Sequence, residues 1–179
     1  MSTLILQALN QIEEIKNKED GLSGVPSGFS ELDRVTSGWQ KSDLVILAAR
    51  PGMGKTAFVL SMARNTAVKF NMPVAVFSLE MSSEQLSTRI LSEQARIGSN
   101  DIRRGRISDE QFDQFLETSK NIAELPLFID ETPAISIAAM SNRARRIKRL
   151  HGLDMIVVDY IQLMLSLIHI SEPTRQEAI

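Results

Sequence analysis

The sequence predicts an α/β fold built on a parallel sheet with flanking helices. Four short apolar runs alternate with longer segments whose apolar residues recur at helical spacing. The runs are residues 43–49, 74–78, 127–129 and 155–158. They contain almost no polar residues, which is typical of strands buried on both faces. With 179 residues, of which 43% are hydrophobic, the chain is long enough to bury one core.

The composition excludes several classes of protein. The chain has no cysteine, so a disulfide scaffold, a thiolate zinc site and a cysteine nucleophile are excluded. A formal net charge of -2 with 23% charged residues argues against wholesale disorder and against a generally basic nucleic-acid coat. No signal peptide begins the chain, and residues 161–170 are too short and too polar to span a bilayer. We therefore expect a cytoplasmic protein.

The chain is predicted to begin with an amphipathic linker helix. Six apolar residues share one helical face, namely Leu4, Ile5, Ala8, Leu9, Ile12 and Ile15. A linker or entry loop rich in Gly, Ser and charged residues follows. The hydroxyl of Ser30 is then expected to cap a helix of about two turns.

The next elements are predicted from apolar runs and from the residues that interrupt them. The first strand, residues 43–49, stops at Arg50 and is expected to be buried on both faces. A helix is expected from Lys55 to about Asn71. The second buried strand covers Val74–Ser78.

Two capping boxes mark the later helices, Ser82 with Gln85 and Ser108 with Gln111. The helix after Ser82 is expected to reach about Ile97. The remaining elements are a strand at 127–129, a helix at 136–150 and a strand at 155–158. Strand and helix alternate throughout, as a parallel sheet requires.

Residues 49–56, which read ARPGMGKT, lie between a predicted strand and a predicted helix, the context that a phosphate-binding loop requires. Gly52 and Gly54 can turn successive N–H groups toward phosphate oxygens, and the helix dipole adds to the positive field. Lys55 can reach the β- and γ-phosphates, and the Thr56 hydroxyl is a natural Mg²⁺ ligand. The usual first glycine is Ala49 here, at a strand end that need not have a positive φ. The predicted nucleotide-binding residues are Arg50, Pro51, Gly52, Met53, Gly54, Lys55, Thr56 and Ala57.

Carboxylates follow the predicted strands at the edge where open parallel sheets bind ligands. Asp159 follows the last strand and can hold Mg²⁺ directly or through water. Glu80 follows the second strand and can orient and deprotonate the water that attacks the γ-phosphate. Thr56 and Asp159 are thus the predicted metal ligands of a site for ATP and Mg²⁺.

Two further carboxylates, Asp130 and Glu131, compete with Glu80 on geometry. They follow the strand at 127–129, but Thr132-Pro133 indicates that they begin a loop, so we rank them lower. From spacing alone, a role for Glu80 as general base is no better supported than two simpler interpretations. Glu80 is then a surface glutamate, or its negative charge interacts with the dipole of the helix that begins near Ser83.

Two basic clusters offer contacts for nucleic-acid phosphates. One contains Arg143, Arg145, Arg146, Lys148 and Arg149, and the other contains Arg103, Arg104 and Arg106. A solvated helix face is the simpler interpretation, because cations are favoured at a helix C-terminus. Aromatic stacking partners are missing nearby, which argues against a platform for single-stranded DNA in these clusters.

Three separated blocks of the sequence show a resemblance to a known family. In chain order they are GVPSGFSELDRVTSGWQKSDLVILAARPGMGKTAF, AVFSLEMS and MIVVDYIQLM. From about residue 4 to Met164, the chain resembles the C-terminal motor domain of bacterial DnaB-type replicative helicases. The resemblance implies a RecA-like P-loop NTPase core with ATP and Mg²⁺ as cofactors. It also implies translocation on single-stranded DNA and duplex unwinding during DNA replication.

The resemblance extends to single residues and to partners. Lys55 and Thr56 match the nucleotide-binding pair, Glu80 matches the catalytic base, and Asp159 matches the Walker B aspartate. Lys55, Glu80 and Asp159 are therefore the predicted catalytic residues. The family also implies a homo-hexamer, in which residues 4–16 pack on the neighbouring subunit, and a primase and a helicase loader as partners.

The end of the chain departs from the family's pattern. Leu165–Arg175, LSLIHISEPTR, resembles a translated sequencing adapter of the transposase type, although a genuine strand with a tail is the alternative. The polar sensor, the DNA-binding loops and the arginine finger of the family find no match. We expect a linker helix and linker at 1–20, a partial RecA-like ATPase domain at 21–164 and a non-native tail at 165–179. Such a fragment is expected not to unwind DNA by itself.

Three rival functions stay open. Another RecA-like ATPase, such as a recombinase or a clock-type ATPase, would share the phosphate-binding loop but not the three blocks together. A nucleotide-binding or assembly module without catalysis would share the fold. A small-molecule P-loop kinase would need a lid and an acceptor pocket, which the sequence does not indicate.

Overall fold

A computed structural model of the chain describes residues 22–161 and Met164. The chain divides into two compact units, Met1–Lys55 and Thr56–Ile179. The predicted linker helix at 4–16 and the predicted tail at 165–179 lie outside the described residues.

The first unit contains a short helix, α1 (Ser30–Thr36), next to an antiparallel bridge between Val25 and Trp39. The buried Asp33 carboxylate accepts hydrogen bonds from the Ser27 N–H (2.7 Å), the Ser27 hydroxyl (2.6 Å) and the Gly28 N–H (3.0 Å). The predicted Ser30 cap is wrong. The helix begins at Ser30, one residue earlier than predicted, so Phe29 is the N-cap. Its side chain forms no capping hydrogen bond.

The predicted strand at residues 43–49 is also wrong. These residues form neither helix nor strand, and their side chains are not buried, since Leu44 is 86% exposed and Ile46 is 80% exposed. A strand needs a neighbour that supplies ladder hydrogen bonds, and within the first unit no described residue forms a ladder with this segment. Apolar composition predicts which residues favour a strand but does not specify the neighbour.

The second unit has the predicted α/β architecture, with a parallel sheet and helices on its faces. Its helices are α2 (Lys55–Phe70), which begins at the unit boundary, α3 (Ser83–Ala95), α4 (Ser99–Arg103), α5 (Asp109–Ala123) and α6 (Ile137–His151). Its strands are β1 (Val74–Ser78), β2 (Leu127–Asp130) and β3 (Met155–Asp159). The structure confirms the three strands that the sequence predicts at these positions. The short helix α4 was not predicted.

The strands lie in the order β2-β1-β3, and both pairings are parallel. Val74 pairs with Leu127 on one side and with Met155 on the other. At the other end of β1, Ser78 pairs with Asp159. This register brings the carboxyl ends of the three strands to one edge of the sheet.

Helices cover both faces of β1, and its alternating side chains divide between them. Val74 and Val76 pack in a cluster with residues of α2 and α3, including Leu60 and Leu86. Ala75 and Phe77 pack in a second cluster with Ala144 of α6. The central strand is therefore buried along its whole length.

The predicted capping boxes are formed in full at one helix and in half at another. The Ser82 hydroxyl accepts a hydrogen bond from the Gln85 N–H at 3.3 Å, but the reciprocal bond from the Ser82 N–H to the Gln85 side chain is not formed. Ser108 and Gln111 form both hydrogen bonds of a capping box, at 3.2 and 3.0 Å. Within residues 22–161 and Met164, every helix is too short or too polar for a membrane span.

Candidate functional site

The phosphate-binding loop has the backbone that its glycines predict. Gly52 has a φ of 78° and Gly54 a φ of 86°, and both angles are in the left-handed region. A Cβ added at either glycine would have no neighbour within 4 Å, so the backbone angle, and not lack of space, favours glycine. Ala49 has no positive φ, as expected. The helix α2 begins at Lys55, directly after the loop.

Thr56 and Asp159, the two predicted metal ligands, are in contact within the second unit. The Thr56 hydroxyl donates a hydrogen bond to Asp159 Oδ2 at 2.7 Å, across 103 residues of sequence. Asp159 is only 6% exposed. A hydroxyl and a carboxylate are oxygen donors of the kind that Mg²⁺ prefers. Among the described residues, His, Cys, Asp and Glu side chains do not gather in groups of three that would suit a metal cage.

Glu80 lies at the same edge of the sheet, two residues beyond the end of β1. The adjacent Leu79 N–H donates to the Asp159 carbonyl oxygen at 2.8 Å, which joins the ends of β1 and β3. The Glu80 side chain is exposed. Its carboxylate forms no hydrogen bond or ion pair with the described part of the chain.

The turn that contains Glu80 is fixed by Ser78, the last residue of β1. The buried Ser78 hydroxyl donates to the Met81 carbonyl oxygen at 2.7 Å and accepts from the Met81 N–H at 3.1 Å. Both polar groups of Met81 are thereby tied to one side chain. The residue after Glu80 is thereby attached to the end of β1.

Asp130 and Glu131, the competing carboxylates, are both engaged in contacts with other elements. Asp130 accepts hydrogen bonds from the Arg143 guanidinium of α6 at 2.5 Å and from the Thr132 N–H at 3.0 Å. Glu131 accepts a hydrogen bond from the Ser83 N–H at the start of α3. Both carboxylates thus have hydrogen-bond donors among the described residues, whereas the Glu80 carboxylate has none there.

These contacts lower the pKa values of both carboxyl groups. Partial burial alone would raise the pKa of Asp130, but the hydrogen bonds from Arg143 and Thr132 outweigh it and bring the pKa below its usual value. The hydrogen bond from the Ser83 backbone lowers the pKa of Glu131. Both groups are therefore stabilised as carboxylates.

The basic residues divide between one ion pair and an exposed surface. Arg143 pairs with Asp130 and also donates to the Thr132 hydroxyl at 2.5 Å. The other members of both clusters are exposed, namely Arg103, Arg104, Arg106, Arg145, Arg146, Lys148 and Arg149. Lys148 and Arg149 lie in the last turn of α6, where the helix dipole favours cations.

Sequence reasoning missed the contacts that position the edge of the sheet. Ser78 is visible in the sequence only as the last residue of a strand. The partner of Arg143 lies 13 residues away in an element of a different type, and no local pattern indicates that pairing. The contact between Glu131 and Ser83 joins residues 48 apart.

The sequence matches the family profile of the DnaB-like helicase C terminal domain over residues 24–179. It is 46% identical over 160 residues to the replicative DNA helicase DnaB of Nostoc sp., covering 87% of this chain and 18% of that protein. It is 42% identical over 161 residues to the replicative DNA helicase DnaB of Geobacillus stearothermophilus, covering 90% of this chain and 36% of that protein. The chain thus spans about a third or less of the length of these relatives.

Solved structures show the same similarity. One is an ATPase domain with a TM-score of 0.81 and 30% identity, in which the match covers 98% of this chain and 61% of the other. Another is a DnaB-like replicative helicase described with its interactions with primase. Its TM-score is 0.79 at 28% identity, with 100% of this chain and 41% of the other covered.

Proposed function

Because the chain belongs to the family of DnaB-like helicase C-terminal domains, we propose that it is part of the motor of a replicative DNA helicase. In this proposal it binds and hydrolyses ATP with Mg²⁺. Hydrolysis drives translocation on single-stranded DNA and unwinding of the duplex during replication. The chain spans only a fraction of the length of its curated relatives, so the activity of a whole helicase is proposed for the protein to which this chain would belong.

The phosphate-binding loop is proposed to bind the phosphates of ATP. Positive φ angles at Gly52 and Gly54 favour a loop whose N–H groups converge on an anion. The N-terminus of α2 carries the positive end of the helix dipole, which favours an anion there. Lys55 adds a full positive charge for the β- and γ-phosphates. The proposed nucleotide-binding residues are those at positions 50–57.

Thr56 and Asp159 are proposed to hold the Mg²⁺ ion. Their hydrogen bond of 2.7 Å supports this role, because one hydroxyl and one carboxylate oxygen lie close enough to share a small cation. When bound, Mg²⁺ neutralises charge on the β- and γ-phosphate oxygens. This hydrogen-bonded pair is the observation that carries the proposed function, because it joins two predicted ligands from distant parts of the sequence.

Glu80 is proposed to be the general base. Its exposed carboxylate has no partner among the described residues, so it can accept a hydrogen bond from a water molecule. The water oxygen forms a bond to the γ-phosphorus as the bond from that phosphorus to the bridging oxygen breaks. The water proton passes to the Glu80 carboxylate, and ADP and phosphate are the products.

The partners and the location of the protein are further parts of the proposal. Membership of this family supports a homo-hexamer, and a DnaB-like relative is described with primase, so we include primase and a helicase loader as partners. Single-stranded DNA is the proposed track. A cytoplasmic location follows from a role in DNA replication.

Titration of the purified chain with ATP tests the nucleotide site. We expect Mg²⁺-dependent binding that Lys55→Ala abolishes at millimolar ATP, because the substitution removes the cation that contacts the β- and γ-phosphates. Lys120→Ala is the control, since Lys120 is an exposed lysine of α5. A folded wild-type chain without nucleotide binding at millimolar ATP would contradict the assignment, as would a Lys55→Ala variant that binds as well as the control.

A further inference from the structure

We propose that Glu131 is a positioning residue for Glu80, and that it acts by fixing the start of α3. The inference rests on the proposed function, in which Glu80 is the general base. It concerns the segment Leu79–Ser82, which connects β1 to α3 and contains Glu80. The position of the Glu80 carboxylate depends on how this segment is held.

Glu80 has no side-chain contact of its own with the described residues that would hold its carboxylate in place. Its position therefore depends on the backbone of the connecting segment. At the β1 end, the Ser78 hydroxyl fixes Met81 through two hydrogen bonds, and the Leu79 N–H is bonded to the Asp159 carbonyl oxygen. These contacts hold Leu79 and Met81 against the ends of β1 and β3, but they do not include Ser82 or the start of α3.

Glu131 fixes the other end. Its carboxylate accepts the hydrogen bond of the Ser83 N–H, which is among the first N–H groups of α3 and has no acceptor within the helix. A negative charge at that position is also favoured by the helix dipole. The lowered pKa of Glu131 agrees with this contact. The start of α3 is thereby attached to the loop that follows β2.

The loop that contains Glu131 is itself anchored to α6. Asp130 pairs with Arg143, and Arg143 also donates to the Thr132 hydroxyl, so the residues on both sides of Glu131 are held by one guanidinium. The Glu131 side chain can therefore resist displacement of Ser83. Arg143, Asp130, Glu131 and Ser83 form a continuous series of contacts from α6 to the segment that contains Glu80.

The contact is suited to positioning rather than to core stability. Glu131 is exposed, so shortening its side chain leaves no cavity in the core. General-base catalysis, in contrast, requires a heavy-atom distance of about 2.6–3.2 Å to the attacking water. A displacement of about 1 Å can cost about 100-fold in rate. Loosening α3 is thus expected to affect hydrolysis far more than folding.

The test compares Glu131→Ala with Glu131→Gln in the full chain, with Glu124→Ala as a control on another exposed glutamate. We expect Glu131→Ala to lower the single-turnover rate of ATP hydrolysis about 10-fold without changing the dissociation constant of ATP. Glu131→Gln is expected to restore most of the rate, because its amide oxygen can still accept the Ser83 hydrogen bond. Hydrogen exchange at the Ser83 N–H is expected to be faster in Glu131→Ala alone.

Several results would overturn the inference. They are an unchanged rate in Glu131→Ala, a loss of ATP affinity in proportion to the loss of rate, and a Glu131→Gln variant as slow as Glu131→Ala. A wild-type chain that binds ATP without any hydrolysis would overturn the inference and leave nucleotide binding intact. A wild-type chain that binds no ATP would defeat the proposed function itself, and with it the catalytic role of Glu131.

Discussion

Residues 44–47 and 74–77 have similar sequences and very different environments. The first segment reads LVIL and the second VAVF. Ile46 is 80% exposed, whereas Phe77 is 1% exposed. Residues 74–77 belong to β1, which has a parallel partner on each side and helices on both faces. Within the first unit, no described residue forms a ladder with residues 44–47.

The difference shows that apolar content does not by itself specify burial. An apolar run becomes a buried strand only where neighbouring strands accept its backbone hydrogen bonds and helices cover its side chains. For β1, the strand partners are β2 and β3, which lie more than forty residues further along the chain, and α2, α3 and α6 cover its side chains. The stability of β1 and that of residues 44–47 should therefore respond differently to the same substitution.

The largest expected effect compares Phe77→Ala with Ile46→Ala. Truncating the buried Phe77 leaves a cavity beside the residues of α6, so we expect the free energy of unfolding to fall by about 3–5 kcal/mol. Truncating the exposed Ile46 is expected to change it by less than about 0.5 kcal/mol. Urea denaturation of the three proteins measures both differences. An Ile46→Ala loss as large as that of Phe77→Ala would show that residues 43–49 form a buried strand after all.

A smaller effect is expected at the edge strand β2, where an ion pair rather than packing is removed. Arg143→Ala should lower the free energy of unfolding by about 1 kcal/mol at neutral pH, because Asp130 loses its guanidinium partner. The pKa of Asp130 is lowered in the folded protein. The contribution of this ion pair to the free energy of unfolding is therefore fully present above the ordinary aspartate pKa of about 4. It is lost as the pH falls through the lowered pKa of Asp130.

Urea denaturation across the acidic range measures this dependence, with Arg145→Ala as the control. Arg145 is exposed on the same helix and forms no ion pair among the described residues. The difference between wild type and Arg143→Ala should shrink toward that of the control below about pH 4. A difference that stays constant down to low pH would mean that Arg143 contributes by packing and not by its charge.

Most of the second unit could be predicted from the sequence because its signals are local. Capping residues such as Ser108 determine where helices begin, and uninterrupted apolar runs mark β1, β2 and β3. The contact between Thr56 and Asp159 could also be predicted, because the threonine of a phosphate-binding loop and an aspartate at the end of a strand are ligands for the same Mg²⁺ ion. The catalytic and binding roles of these residues stay predictions, as does the non-native character of residues 165–179.

The rest could not be predicted because it depends on tertiary neighbours. Within the first unit, residues 43–49 have no ladder partner among the described residues, and the spacing of apolar residues in a sequence does not reveal whether such a partner exists. The contacts of Arg143 and Glu131 join separate elements through single side chains. Sequence spacing ranked Glu131 as a weak alternative to Glu80, whereas the structure brings it to the start of α3.

The most direct test of the proposed function is the Mg²⁺ dependence of ATP binding in Asp159→Asn, with Asp113→Asn as the control on an exposed aspartate of α5. The substitution keeps an oxygen near Thr56 but removes the negative charge that would hold Mg²⁺. We expect the increase in ATP affinity that Mg²⁺ produces to fall by at least about 10-fold, with metal-free binding unchanged. An Asp159→Asn variant with the Mg²⁺ dependence of wild type would contradict the metal site, and with it the proposed nucleotide chemistry.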